Sequence, residues 1–194
     1  LKLARESGYS WIIHIDSDEL IYSNQPLKKL LANVSQDIDF VIFKPLEAVP
    51  DVKEYTHIFD KITLFKEIPR LRYKYLAYLL GCKKAFFHGE YFRGHMIGKS
   101  ATRTDRNNLV IRPHFPIACD NRTLHSCIIK NAKILHFDCC GFDRWQAKWL
   151  IRYAVPTDFR MRQNRQEQLK MFAKQYEKGT MEKLNKLYKR MHCL

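Results

Sequence analysis

The residues best placed to do chemistry are Asp16 and Asp18, in the run Trp11-Ile-Ile-His-Ile-Asp-Ser-Asp-Glu-Leu20. Trp11 to Ile15 is mostly apolar and rich in β-branched side chains, which predicts a buried strand. A strand ending in Asp-x-Asp carries two acids at its C-terminal tip, where open α/β sheets bind ligands. Two such acids repel each other and are costly to desolvate unless a cation joins them. Oxygen donors suit Mg²⁺ or Mn²⁺, and Mg²⁺ commonly bridges carboxylates to substrate phosphates. The pattern therefore points to a metal–diphosphate site. The bland reading is a solvated strand-to-loop junction that happens to be acidic.

The motif resembles the Asp-x-Asp motif of GT-A glycosyltransferases, in particular family 2-type members in which Trp, an apolar run and Asp-x-Asp-Glu follow one another. Three further blocks stand in the order and rough spacing of that family: FVIFKPLEAVP at 40–50, GHMIGKSATR at 94–103 and ILHFDCCGFDRWQAKW at 134–149. Together they cover about residues 1–150. The resemblance implies an α/β fold with a GT-A-like, Rossmann-related mixed sheet flanked by helices, followed by C-terminal helices. It implies a metal-dependent enzyme, using Mn²⁺ or Mg²⁺, that moves a sugar from a nucleotide-sugar donor to a hydroxyl of a glycan or lipid-linked acceptor. A GT-A fold places two or three β/α units before its Asp-x-Asp. This sequence does not begin with Met and reaches the motif by residue 16, so those units are expected to be absent from it.

Sugar transfer requires charge neutralisation at the leaving diphosphate, a base for the acceptor hydroxyl if the reaction inverts, and in-line placement of both substrates. By resemblance Asp18 is the direct metal ligand, Asp16 reaches the ribose or a metal-bound water, and His136 in Ile-Leu-His-Phe-Asp is the third ligand. A lone His on a strand is as often a packed core residue. His14, inside the first strand, reads as structural. Gly98-Lys99-Ser100 and Arg103 are candidates for the diphosphate, because Gly lets backbone approach a phosphate and a cation follows at once. An ordinary turn explains them equally well. For the base, Glu47 between Pro45 and Pro50 comes first, Asp138 second and Asp120 third. The Glu-Asp and Gln-x-x-Arg-Trp elements of processive family 2 enzymes are missing, which argues against a polymer synthase.

Two other classes compete. A haloacid-dehalogenase-type Mg²⁺-dependent phosphatase also uses an apolar strand and Asp-x-Asp, but its motif continues with small residues and Thr or Val, and its later paired acids are not seen. A basic nucleic-acid-binding module is compatible with the charge and with Arg70-Leu-Arg-Tyr-Lys-Tyr75, yet no recognised motif supports it.

Composition frames these readings. The chain has 194 residues, enough for one domain with a sizeable core, here 1–194 with a core at 1–150 and a basic helical segment at 151–194. No apolar run approaches the length of a membrane-spanning helix. The six cysteines (82, 119, 127, 139, 140, 193) form no Cys-x-x-Cys pair and read as thiols in a reducing, cytoplasmic compartment. Sequons at Asn33 and Asn121 matter only in a secretory lumen. The net charge is +14, and residues 141–194 hold 13 Lys/Arg against 5 Asp/Glu. That basic tail suits an anionic partner, such as the donor or the peripheral surface of a membrane, although a solvated helical face explains any one charge.

The elements that must position the site follow from periodicity. Residues 1–7 read as a helix end, 10–15 as a strand, 26–33 as a short helix with Pro26 at its start, and 40–44 as a second core strand. A strand at 61–65, a helix over 71–80 and strands at 84–87, 108–112 and 133–137 are expected. Three amphipathic helices then carry the stripes Phe142/Trp145/Trp149/Tyr153, Leu169/Phe172/Tyr176 and Met181/Leu184/Tyr188/Met191.

Overall fold

The computed structural model describes residues 1–51, 55–68, 71–81, 96–138, 140–155, 163–177 and 180–192. The elements run α1 (Lys2–Glu6), β1 (Trp11–Ile13), β2 (Glu19–Ser23), α2 (Leu27–Ala32), β3 (Phe40–Ala48), α3 (Ile58–Lys61), β4 (Phe65–Lys66), α4 (Leu71–Leu79), β5 (Lys99–Arg103), β6 (Leu109–Val110), β7 (Ile117–Ala118), β8 (Ser126–His136), α5 (Phe142–Ala154), α6 (Gln163–Glu177) and α7 (Met181–His192). The α/β class expected from sequence is the class observed. Two compact units interleave along the chain: Leu1–Leu46 with Gly94–His136, and Glu47–Arg93 with Phe137–Leu194.

The first unit is built on strands in the order β1-β5-β3-β8-β2. β1 pairs antiparallel with β5 (Ile13 opposite Ala101), β5 with β3 (Ala101 opposite Val41), and β2 with β8 (Glu19 opposite His136). Val41, Phe43, Ala101, Ala132 and Ile134 are fully buried at its centre, and Leu30 and Leu31 of α2 pack on them. Pro26 opens α2, where its missing N–H and fixed φ cost nothing. α1 is tethered by Arg5, whose guanidinium donates to the Thr104 and Arg106 carbonyls and to Asn107 Oδ1. A separate two-stranded sheet joins β6 to β7.

The first strand is shorter and wetter than its sequence suggests. β1 is three residues long and half-buried, because it lies at the edge of the sheet with one side open. Conversely, β5 is central and buried at all five positions although it reads Lys-Ser-Ala-Thr-Arg. β8 starts at Ser126, seven residues before the expected strand. The strand expected at 61–65 is instead the turn of helix α3 and the two-residue β4, and the one at 108–112 shrinks to β6. The expected strand at 84–87 lies outside the described residues.

In the second unit the last residues of β3 pair antiparallel with β4, Glu47 opposite Lys66 and Ala48 opposite Phe65. Its larger core is helical. Phe142, Trp145 and Trp149 of α5, Phe172 of α6 and Leu184, Leu187, Tyr188 and Met191 of α7 form one buried cluster. Trp145 meets Phe172 edge-on at 5.3 Å between ring centres, and Phe142 meets Tyr188 likewise at 5.7 Å. Such geometry adds about 0.5–1.5 kcal/mol per pair beyond area burial. The Tyr188 hydroxyl accepts the N–H of Gly141, the cap of α5, so the third helix fixes where the first begins. The three stripes thus point inward, except at their ends: Tyr153, Tyr176 and Met181 are exposed. Lys170, Lys174, Lys183 and Lys186 lie on the solvent side, and Lys186 pairs with Glu182 at 2.7 Å. No helix among the described residues is long and apolar enough to cross a membrane. Cys119, Cys127 and Cys140 form no disulfide.

Candidate functional site

The Asp-x-Asp segment forms the tight connection between β1 and β2. The chain leaves β1 at Ile13, turns at Ser17–Asp18 and enters β2 at Glu19. The turn is held from inside. The Asp16 N–H donates to the Glu19 carboxylate at 2.9 Å, and the Glu19 N–H donates to the Asp16 carbonyl at 3.1 Å. Glu19 is buried, and so is its cation: Lys99 is 1% exposed, with Nζ 3.3 Å from Glu19 Oε2 and 2.8 Å from Asp16 Oδ2. Burial of one ammonium is tolerable because two carboxylates surround it.

Sheet register then sets the partner of Asp18. Glu19 stands opposite His136, the last residue of β8, so the preceding residue reaches the same strand end. Asp18 Oδ2 lies 3.9 Å from His136 Nε2. His136 is buried and Asp18 is about one-third exposed, so the pair opens to solvent on the acid's side. Three carboxylates converge on this turn, Asp16, Asp18 and Glu19, against one buried cation.

The Asp16 carboxyl is held below the ordinary carboxylate range. Partial burial pushes it up, but the hydrogen bond and charge of Lys99 outweigh this, with His14 and His114 adding to the lowering. His114 also fastens the segment that carries Lys99. Its Nδ1 donates to the Gly98 carbonyl at 2.9 Å, and its own carbonyl accepts the Ser100 hydroxyl at 2.7 Å. Gly98 has φ +81°, and a Cβ there would stand 2.1 Å from the Phe43 carbonyl oxygen. Only glycine fits, and its close approach is to the neighbouring strand.

The other residues singled out by sequence divide between the units. Arg103 lies in the first, at the far end of β5. Its guanidinium donates to the Ile38, Val34 and Ser35 carbonyls and stacks 4.5 Å from the Trp11 ring centre. Asp120 is exposed and accepts the Arg122 N–H at 3.3 Å. Glu47 is in the second unit, within β3 rather than in a loop after it; it is 2% exposed and 3.2 Å from Lys66. Asp138, two residues beyond His136 in sequence, also belongs to the second unit. Lys148 and Arg165 engage its two oxygens, the latter at 3.3 Å. Lys99 and Asp16 are thus brought together, as are Asp18 and His136. Glu19 is the member that sequence reasoning named without a role. No local pattern gave its place: alternation defines two faces, and here Leu20 and Tyr22 are the exposed ones while Glu19 is buried against Lys99.

Two glycosyltransferase-like proteins of Arabidopsis thaliana are similar to this chain. One is 37% identical over 34% of the chain and 14% of its own length. The other is 30% identical over 71% of the chain and 31% of its own length. The chain therefore spans less than a third of the length of either relative. No protein-family model matches it, and no solved structure matches it significantly. The two similarities support a glycosyltransferase relationship.

Proposed function

We propose that this chain carries the metal-binding part of a GT-A-type glycosyltransferase, one that transfers a sugar from a nucleotide-sugar donor to a glycan or lipid-linked acceptor without processive elongation. The observation that carries the reading is the pairing of Asp18 with His136 at the end of β2 and β8, in a chain related to glycosyltransferase-like proteins.

The donor set fits the ion. The carboxylate oxygen suits Mn²⁺ or Mg²⁺, and the imidazole nitrogen beside it favours the transition ion of the two. Two ligands at ~2.1 Å from an octahedral Mg²⁺ stand about 3 Å apart. The observed 3.9 Å needs a side-chain shift of under ~1 Å. When bound, the ion would neutralise charge on the leaving diphosphate. Asp18 and His136 would hold it, and the buried Lys99–Glu19 pair would keep Asp18 in place. Arg103, spent on carbonyls and an indole face, is better suited to holding the sheet than to meeting a phosphate. For the acceptor proton Glu47, beside Lys66, remains the first choice and Asp138, beside Lys148 and Arg165, the second.

Calorimetry on the full-length protein tests this. UDP or GDP should bind more tightly with Mn²⁺, and Asp18→Ala should remove that increment. Glu47→Gln should retain donor binding and lose turnover. Metal-independent nucleotide binding, or an Asp18→Ala variant identical to wild type, contradicts the proposal.

A further inference from the structure

We propose that Lys99 is a positioning residue that withholds Asp16 from the metal and leaves Asp18, beside His136, as the ligating acid of the Asp-x-Asp pair. The inference rests on the reading that Asp18 and His136 hold a divalent cation. It comes from how the turn is built. An ammonium carries three donors and no acceptor. Here it is almost wholly enclosed, and its contacts include one oxygen of Asp16 at 2.8 Å and one of Glu19 at 3.3 Å. A divalent ion placed on Asp16 would meet the positive charge of Lys99, which already lies 2.8 Å from one of its oxygens. Asp18 points the other way along the turn, toward His136 at 3.9 Å. The two acids of the motif are therefore chemically unequal before any ion arrives: one is the counter-charge of an internal lysine and the other lies beside His136.

Glu19 makes the division rigid. Its carboxylate receives both the Asp16 N–H and Lys99, and its backbone is registered opposite His136. Lys99, Glu19 and Asp16 thus form a closed triangle that sets where the turn can place Asp18. A consequence is that the site takes one cation rather than two, because the second pair of oxygens already has its positive partner.

The test is a Mn²⁺ titration of the full-length protein by electron paramagnetic resonance. Asp16→Ala should change the Mn²⁺ Kd by less than about threefold, while Asp18→Ala weakens binding by at least about tenfold. In the Lys99→Met/Glu19→Gln background, where the internal pair is removed together, Asp16 is released. Adding Asp16→Ala there should now cost about tenfold. In a Lys99→Arg background, where a cation is retained, it should again be nearly silent. A merely structural lysine would not make the effect of Asp16→Ala depend on the charge at position 99. Equal losses for Asp16→Ala and Asp18→Ala in the wild type overturn the inference, and that comparison requires no Lys99 variant to fold. Silence of Asp16→Ala in all backgrounds also overturns it. Silence of Asp18→Ala instead overturns the metal reading itself, so the two failures are distinguishable.

Discussion

Removing Lys99 alone should be among the most damaging single changes in the first unit. Lys99→Met keeps the volume and apolar stem but leaves Glu19 buried without its cation. At 3.3 Å and an effective dielectric of about 20, the Lys99–Glu19 attraction is about 5 kcal/mol before desolvation is counted. Loss of one partner of such a pair costs about 3–5 kcal/mol. The Asp16 contact adds little to this figure, because its carboxylate is half exposed and solvent screens it. Glu19→Gln alone should cost a comparable amount, since it leaves the ammonium with only the exposed acid. The double variant should recover most of the loss, because a buried pair replaced as a unit by neutral groups is often close to neutral. Urea titrations of the four proteins, read at constant m-value, give the coupling. It should exceed about 2 kcal/mol. Additivity within about 0.5 kcal/mol would show that the two groups do not depend on each other, and the account of the turn would be wrong.

Three further outcomes follow from named contacts. Gly98→Ala combines a positive φ, which costs about 1–3 kcal/mol, with a Cβ driven into the Phe43 carbonyl, so thermal melting should show loss of the folded form rather than a small shift in Tm. Asp39 is buried, and although burial raises its carboxyl, the Arg122 hydrogen bond, the His125 N–H and Arg106 together lower it below the ordinary value of 3.8. Its folded state thus holds the proton less well than its unfolded state. The stabilisation is complete above pH 3.8 and is lost as pH falls through the lowered value, so Asp39→Asn should be less stable at pH 7 and show a flatter acid limb in pH-dependent urea titrations. Trp145→Ala, at the centre of the helical cluster, should cost about 3–5 kcal/mol, measured by chemical denaturation; a loss below about 1 kcal/mol would contradict the packing described.

Much of this arrangement could be read from residue order, and what could not has a physical reason. The three helical stripes at 142–153, 169–176 and 181–191 were legible because a buried face repeats every three to four residues, and the terminal members Tyr153, Tyr176 and Met181 are the ones exposed. The strand leading to Asp16 was legible as a strand but not as an edge, since edge position is a property of the whole sheet. β5 was hidden altogether. A central strand is normally read from apolar content, whereas Lys-Ser-Ala-Thr-Arg is buried because Asp16 and Glu19 meet its lysine and backbone carbonyls meet its arginine. Those partners are 65 to 83 residues away, beyond any local pattern. For the same reason Gly98-Lys99 suggested a phosphate loop, while its glycine serves close strand packing and its lysine serves the acidic turn. Asp18 and His136 were legible as a pair only through family resemblance; the register that places Glu19 opposite His136 supplies the physical cause.

The most direct test of the central claim is pulsed electron paramagnetic resonance of Mn²⁺ bound to the full-length protein with UDP or GDP present. If Asp18 and His136 hold the ion, nitrogen couplings from a directly bound imidazole appear in the wild type. They vanish in His136→Gln while Mn²⁺ still binds, more weakly, and Asp18→Ala binds little Mn²⁺ at all. Bound Mn²⁺ without imidazole nitrogen in the wild type, or an unaltered spectrum in His136→Gln, would contradict the account.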